Sequence, residues 1–355
     1  MHGFKSTATS WTGLLRLRGF RRLVRACPFR FDLAPHSPND ICEPLRKACF
    51  RWFQLLFFLG LATTSAISPA SAQEKVAKLK VVATFSILGD FARNVGGNQV
   101  DVTSLVGPDG DVHVYTPTPA DAEAIRNARL VIVNGLGLEG WLPRLVESSG
   151  GNATTVVATH GIVPRTITAG EILSRDHGAF APDPHAWQSV RNAEIYVVNI
   201  RNAMVAADPA NAATYRADAA AYLIKLKALD HDVREAVARI PLNRRKVIST
   251  HDAFGYMAAA YDITFVAPEG VSTETEPSAR DIATIITQIK KERIPAVFLE
   301  NVSDPRLMRQ IASGTGAAIG GTLYSDSLTM EDGEAPTYIA MVRHNITTIA
   351  SALVN

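Results

Sequence analysis

The sequence predicts an α/β fold with two lobes, each a mostly parallel sheet flanked by helices, joined by one long rigid helix. Strand-like apolar runs alternate with helical patterns in the first half of the chain, and a second such alternation begins near residue 246. Between the two lies an unbroken amphipathic segment over residues 209–240. The alternating order favours parallel strands, because helices must cross between them.

The first lobe is predicted over residues 77–208. Ser86 caps a helix that ends at Gly96-Gly97, directly after the first strand. Further helices are expected from Ala120 and from about Arg191. The strand-like runs of this lobe are residues 79–84, 100–106, 130–133 and 155–158.

The linking segment, residues 209–240, repeats apolar side chains at spacings of three and four, as at Tyr222, Leu226 and Leu229. A helix of about 30 residues spans ~45 Å, enough to touch both lobes. No flexible Gly/Ser linker replaces it, so we expect a stiff connection.

The second lobe is predicted over residues 241–355. It repeats the alternation of strands and helices, although we detect no internal sequence repeat. Its strands are expected at 246–250, 296–300 and 323–324, and its helices at 253–261, 278–292, 304–313 and 337–353.

The N-terminal region predicts export to the periplasm. Residues 1–52 carry a net charge of +7, and an uncharged apolar run follows that ends in Ala70-Ser71-Ala72. This pattern predicts a Sec-type signal peptide over 45–72, cleaved near Ala72. A membrane anchor is the alternative, but the run is shorter than the ~20 residues a span needs. Residues 1–44 are interpreted as a leader extension; either translation begins near Leu45 or the long leader is genuine.

Charge and cysteine content exclude several classes of protein. After residue 72 the net charge is −5, which does not favour nucleic-acid binding. Cys27, Cys42 and Cys49 all precede the cleavage site, so the mature chain has no disulfide and no thiolate metal site. Cys49 also precedes the apolar run and is therefore wrongly placed for lipid attachment. We expect a monomer.

Three histidines lie at predicted ends of rigid elements. His113 precedes a Pro-rich segment, His185 follows Pro184, and His251 ends a strand. Three imidazoles with one carboxylate suit a borderline-soft divalent ion such as Zn²⁺. Asp326 is the best carboxylate, but Glu300 also ends a strand, and spacing alone does not choose between them.

Four segments, residues 109–119, 182–193, 249–256 and 324–328, closely resemble the zinc- and manganese-binding solute-binding proteins of ABC importers. The similarity covers essentially all of 77–355. The resemblance implies two lobes joined by a long helix, one metal ion in the cleft, and delivery to an ABC permease in the membrane. Zn²⁺ is favoured over Mn²⁺, which prefers more oxygen ligands. Carried over by motif, the implied ligands are His113, His185, His251 and Asp326.

A secreted zinc hydrolase is the alternative from another class. A catalytic zinc keeps an open position for water, whereas four protein ligands close the coordination shell. No Gly-x-Ser-x-Gly, Cys–His pair, P-loop or His-Glu-x-x-His motif occurs, so we expect a binding protein and no enzyme.

The other candidate residues receive lesser roles. Glu139 is a possible carboxylate behind a ligand, and Trp141 is expected to pack near the cleft. Among the other histidines after residue 72, His177 and His231 are predicted to be solvated and His344 to be structural. His160 is expected to end a strand near the cleft, and the resemblance gives it no role.

Overall fold

The computed structural model describes residues 77–166 and 181–354. The predicted leader and signal peptide, and the segment that contains His177, lie outside these ranges. The strands are β1 (Leu79–Phe85), β2 (Val100–Val106), β3 (Leu130–Val133), β4 (Thr154–Val157), β5 (Lys246–Ile248), β6 (Thr264–Val266), β7 (Ala296–Glu300) and β8 (Ala318–Leu323). The helices are α1 (Ser86–Gly96), α2 (Pro119–Asn127), α3 (Leu142–Ser149), α4 (Val190–Ala207), α5 (Ala212–Ala238), α6 (Gly255–Tyr261), α7 (Ala279–Glu292), α8 (Pro305–Thr315) and α9 (Tyr338–Val354).

Two parallel four-stranded sheets form the two lobes. The strand order is β2-β1-β3-β4 in the first sheet and β6-β5-β7-β8 in the second, so each lobe has the same arrangement of strands. All strand pairs in both sheets are parallel. Parallel strands end at the same edge of their sheet, and loops at that edge can therefore bring side chains together.

The helix α5 lies between the two lobes in the sequence and packs into a core that both share. A 3₁₀ turn at Pro209–Asn211 precedes α5. The 27 residues of α5 give the helix a length of ~40 Å. The main apolar cluster contains residues of both sheets together with those of α5. A continuous core of this kind resists independent rotation of the lobes. The buried positions of α5 are Tyr215, Ala219, Tyr222, Leu226, Leu229, Asp230, Val233 and Val237.

A buried carboxylate ties α1, α5 and α9 together. Oδ2 of Asp90 accepts the backbone N–H of Tyr338 at 3.0 Å and the hydroxyl of Tyr222 at 3.3 Å. Burial raises the pKa of Asp90 above its ordinary value, against these hydrogen bonds. Helices α1, α5 and α9 are thus held together by polar contacts as well as by apolar packing.

Two parts of the second sheet differ from the sequence prediction. Strand β6 was not predicted, because three residues are too few to show a period. Strand β8 is longer than the predicted 323–324, since Gly320 and Gly321 lie inside it and weaken the strand pattern. A Cβ at Gly320 would lie 2.6 Å from the Phe298 ring, so the strand needs glycine there for close packing.

Within residues 77–166 and 181–354, no helix is both long and apolar enough to cross a membrane.

Candidate metal centre

Four side chains converge at the edge where the strands of both sheets end. His113 follows β2, and His185 lies just before the 3₁₀ turn Ala186–Gln188 that leads into α4. His251 follows β5, and Asp326 follows β8. One potential ligand atom from each residue lies within 4.8 Å of all the others. All four side chains are buried, and His113 is the most exposed at 8%.

The spacing of these atoms leaves room for one cation. Nε2 of His113 lies 3.3 Å from Nε2 of His185 and 3.2 Å from Oδ2 of Asp326. Nε2 of His251 lies 3.1 Å from the same oxygen, and Nε2 of His185 lies 3.7 Å from Oδ1 of Asp326. Ligands held at ~2.0–2.1 Å around a tetrahedral ion are separated by roughly 3.3 Å, in agreement with this range.

Three of the polar atoms that face this space have no hydrogen-bond partner. Nε2 of His251 and both carboxylate oxygens of Asp326 are buried without one. Buried polar atoms are almost always hydrogen-bonded, and a buried charge needs compensation. A divalent cation coordinated by these atoms would give each of them a partner and would compensate the buried negative charge. The donor set therefore fits a metal ion.

Carboxylates behind two of the imidazoles orient them. Oδ1 of Asp183 lies 2.9 Å from Nδ1 of His185 and accepts its backbone N–H at 3.0 Å. Glu300 accepts the backbone N–H groups of Thr250 at 2.7 Å and His251 at 3.1 Å. Its other oxygen lies 2.5 Å from Nδ1 of His251. With Nδ1 of each ring hydrogen-bonded to a carboxylate, Nε2 of that ring faces the centre.

This arrangement distinguishes the two carboxylates that the sequence left open. Asp326 converges with the imidazoles, whereas Glu300 lies behind His251 and faces away from the other ligand atoms. Sequence spacing could not separate them, because both residues follow strands of the same sheet and end at the same edge.

The loop that carries His113 is held from both lobes. Oδ1 of Asp111 accepts the His113 backbone N–H at 2.8 Å, and Oδ2 accepts the hydroxyl of Thr273 at 2.6 Å. The indole N–H of Trp141 donates to the carbonyl oxygen of Val112 at 2.8 Å. Trp141, expected only to pack near the cleft, therefore also fixes the backbone beside His113.

The charges in the site reinforce one another. Burial opposes protonation of His251, but Glu300 and Asp326 outweigh it and raise its pKa well above the ordinary value. Burial likewise opposes ionisation of Asp326, but His251 and His185 hold its pKa well below the ordinary value. Each of these two side chains thus favours the charged form of the other, and a cation that binds Nε2 of His251 competes with a proton there.

Glu139 does not contact the converging residues directly. It is buried and accepts the Thr84 hydroxyl at 2.7 Å and the backbone N–H of Asn134 at 2.6 Å. Asn134 in turn donates to the carbonyl oxygen of Pro184 at 2.9 Å. Glu139 therefore supports the segment before His185 through an intermediate residue.

The other histidines within the described residues lie elsewhere. His160 and His231 are exposed, and His231 lies 3.4 Å from Glu235. Nε2 of His344 lies 3.0 Å from the Thr322 carbonyl oxygen, in the second lobe. His177 is outside the described residues. Sequence reasoning missed the orienting role of Asp183, although its position two residues before His185 was a signal that could have indicated it.

The known proteins to which this chain is similar are metal-binding proteins of uptake systems. Residues 81–352 match the family model described as the periplasmic component A of the zinc-uptake complex. The iron-binding protein YfeA of Yersinia pestis is 37% identical over 298 residues, 84% of this chain and 94% of YfeA. The manganese ABC transporter substrate-binding lipoprotein PsaA of Streptococcus pneumoniae is 30% identical over 309 residues, 85% of this chain and 96% of PsaA.

A solved structure has the same fold. The periplasmic zinc-binding protein TroA of Treponema pallidum superimposes with a TM-score of 0.71 at 31% identity, covering 79% of this chain and 100% of TroA. The names of these proteins differ in their metal, which includes iron, manganese and zinc.

Proposed function

The chain belongs to the family of metal-binding periplasmic substrate-binding proteins of ABC metal importers, and from this premise we propose that its cargo is Zn²⁺. The ion is bound by His113, His185, His251 and Asp326 and released to a membrane permease. The family consists of transport proteins that bind a substrate and are not enzymes. Mn²⁺ is the alternative cargo.

The observation that carries the proposal is the convergence of three imidazole nitrogens and one carboxylate in a buried space. Nitrogen-rich sets with one carboxylate suit Zn²⁺, which is commonly four-coordinate. Mn²⁺ prefers more oxygen ligands. The charge of one carboxylate balances half of the divalent charge, and Asp183 and Glu300 add negative charge behind the ligands.

The two oxygens of Asp326 support the alternative. Oδ2 lies 3.2 Å from Nε2 of His113, and Oδ1 lies 3.7 Å from Nε2 of His185. If both oxygens coordinated, the ion would have five donors, a set that a larger ion such as Mn²⁺ accommodates. The iron-binding relative adds Fe²⁺ to the ions that need comparison.

Location and partner follow from the same proposal. A signal peptide over 45–72, preceded by a leader extension over 1–44 and cleaved near Ala72, would export the chain to the periplasm. There a monomer would carry its ion to the permease. The exported chain would consist of a first lobe (77–208), a linking helix (209–240) and a second lobe (241–355).

Competition titration of the metal-free protein tests the cargo. Zn²⁺, Mn²⁺ and Fe²⁺ are each titrated against a chromophoric chelator under anaerobic conditions, and Zn²⁺ is expected to bind most tightly with one ion per chain. Tighter binding of Mn²⁺ or Fe²⁺ would overturn the choice of zinc. Wild-type affinity in His185→Ala would overturn the ligand assignment in the first lobe.

A further inference from the structure

Arg165 pairs with the carboxylate that orients one of the proposed ligands. It lies in the loop after β4, and its Nη1 is 3.2 Å from Oδ2 of Asp183. The Asp183 side chain is fully buried, and that of Arg165 is 19% exposed. The other oxygen of Asp183 lies 2.9 Å from Nδ1 of His185. The guanidinium and the imidazole therefore contact one carboxylate through different oxygens.

Helix α6 of the second lobe closes over this pair. A Cβ at Gly255 would lie 2.4 Å from Nη1 of Arg165 and 2.7 Å from Oδ2 of Asp183, so only glycine leaves room for the ion pair. The Tyr256 hydroxyl accepts the backbone N–H of Arg165 at 2.9 Å and donates to the carbonyl oxygen of Asp183 at 3.1 Å. Gly255 is four residues after His251. The packing of α6 on the Arg165–Asp183 pair therefore links the segment that carries His251 to the segment that carries His185.

A carboxylate that holds a metal-binding imidazole needs an anchor of its own. Groups behind metal ligands fix the direction of the ligand atom, and loss of such a group typically weakens metal affinity about 10- to 100-fold. The planar guanidinium fits a carboxylate better than the ammonium group of lysine. Asp183 is also bound through its backbone N–H to the Arg165 carbonyl oxygen at 2.8 Å, a contact that any residue at position 165 could keep.

We infer that Arg165 is a positioning residue for metal binding, which anchors Asp183 behind His185 so that Nε2 of His185 faces the cation. The inference rests on the proposed role of His185 as a ligand. It also assigns a function to Gly255, whose missing side chain allows the second lobe to pack against the Arg165–Asp183 pair.

Two variants disturb the pair in different ways. Arg165→Met removes the charge, and Gly255→Ala keeps every charge but places a Cβ against both the guanidinium and the carboxylate, so that one of them must shift. Both are expected to lower Zn²⁺ affinity about 10- to 100-fold in chelator competition. Arg165→Lys should recover part of the loss, because lysine keeps the positive charge but lacks the guanidinium N–H groups that bind a carboxylate.

Matched controls separate positioning from general destabilisation. Arg245 is similarly buried, at 14% exposure, and pairs with Asp262 in the second lobe at 3.1 Å. A Cβ at Gly96 would lie 2.3 Å from the side chain of Val100. Arg245→Met and Gly96→Ala should lower the melting temperature of the metal-free protein and leave Zn²⁺ affinity within about twofold, since neither touches the site.

The direct readout is the imidazole of His185. In ¹⁵N-edited spectra of the metal-free protein, wild type is expected to show His185 with Nδ1 fixed in one hydrogen bond, while Arg165→Met and Gly255→Ala show averaged ring signals. Wild-type affinity and unchanged His185 signals in both variants would overturn the inference. The inference would also be overturned if both variants lowered the melting temperature but left Zn²⁺ affinity and the His185 signals unchanged. If His185→Ala itself bound Zn²⁺ normally, the proposed site would fail first.

Discussion

Nδ1 of His251 lies 2.5 Å from Oε2 of Glu300, and this contact turns the opposite nitrogen of the ring toward Asp326. The first lobe has an equivalent contact between His185 and Asp183. Each lobe thus presents an imidazole whose free nitrogen is aimed by a carboxylate of the same lobe. Both contacts are made by groups of the protein itself and fix the directions of the two rings.

Glu300→Gln should weaken Zn²⁺ binding about 10- to 100-fold. The amide can still accept the backbone N–H groups of Thr250 and His251, but it cannot offer a second charged acceptor to the imidazole. Chelator competition measures the change. Glu331→Gln, at an exposed position, is the control and should bind as wild type does. Equal affinities for the two variants would show that the contact behind His251 does not matter.

Much of the fold could be predicted because its signals are local. The apolar runs of β1, β3 and β7 and the spacing along α5 are visible in short windows of sequence. The shared strand order of the two sheets was not visible, because it depends on crossovers between distant segments and leaves no sequence repeat.

The candidate site was predicted only in part, for a related reason. Histidines at the ends of strands and before a helix are local features, and motif resemblance supplied the choice of four. The roles of Glu300 and Arg165 depend on contacts across 49 and 18 residues of sequence. Such pairs need the three-dimensional fold, and no local pattern marks Arg165 among the other arginines.

His251→Ala should lower metal affinity strongly and remove most of the metal-dependent gain in thermal stability. By mass action, that gain in wild type is about 4 kcal/mol when free metal is a thousandfold above the dissociation constant. Calorimetry with and without Zn²⁺ measures it. His344→Ala is the control, because His344 contacts Thr322 rather than the site. An unchanged metal-induced rise in His251→Ala would refute its role as a ligand.

Metal binding should weaken as the pH falls. Neutral imidazole is the ligand, and free histidine titrates near ~6.5. The neighbouring carboxylates raise the pKa of His251 above that value, so competition by protons extends to neutral pH. Apparent Zn²⁺ affinity should therefore rise steadily with pH from about 5 to 7.5, with proton release on binding. A constant affinity over that range would contradict a site with three imidazoles.

The stability of the metal-free protein should also depend on pH through Asp230, on the long helix α5. Asp230 accepts two hydrogen bonds from Arg234, at 2.9 and 3.1 Å, and one from the Tyr261 hydroxyl at 2.9 Å. Burial opposes its ionisation, but these hydrogen bonds outweigh burial and hold the pKa of Asp230 below its ordinary value. The Tyr261 contact joins α5 to α6, which follows His251 in the second lobe.

A lowered pKa in the folded state means that the ionised carboxylate stabilises the fold. The stabilisation is complete above the unfolded value of ~3.9 and disappears as the pH falls through the lower folded value. Asp230→Asn should therefore cost roughly 1–2 kcal/mol of unfolding free energy near pH 7, and progressively less below about pH 4. Urea unfolding of the metal-free protein in chelator measures the difference at each pH. Asp232→Asn, on the exposed side of the same helix, should change the free energy by at most about 0.5 kcal/mol. A cost for Asp230→Asn that stayed constant down to about pH 2.5 would show that the substitution acts through packing rather than through the charge.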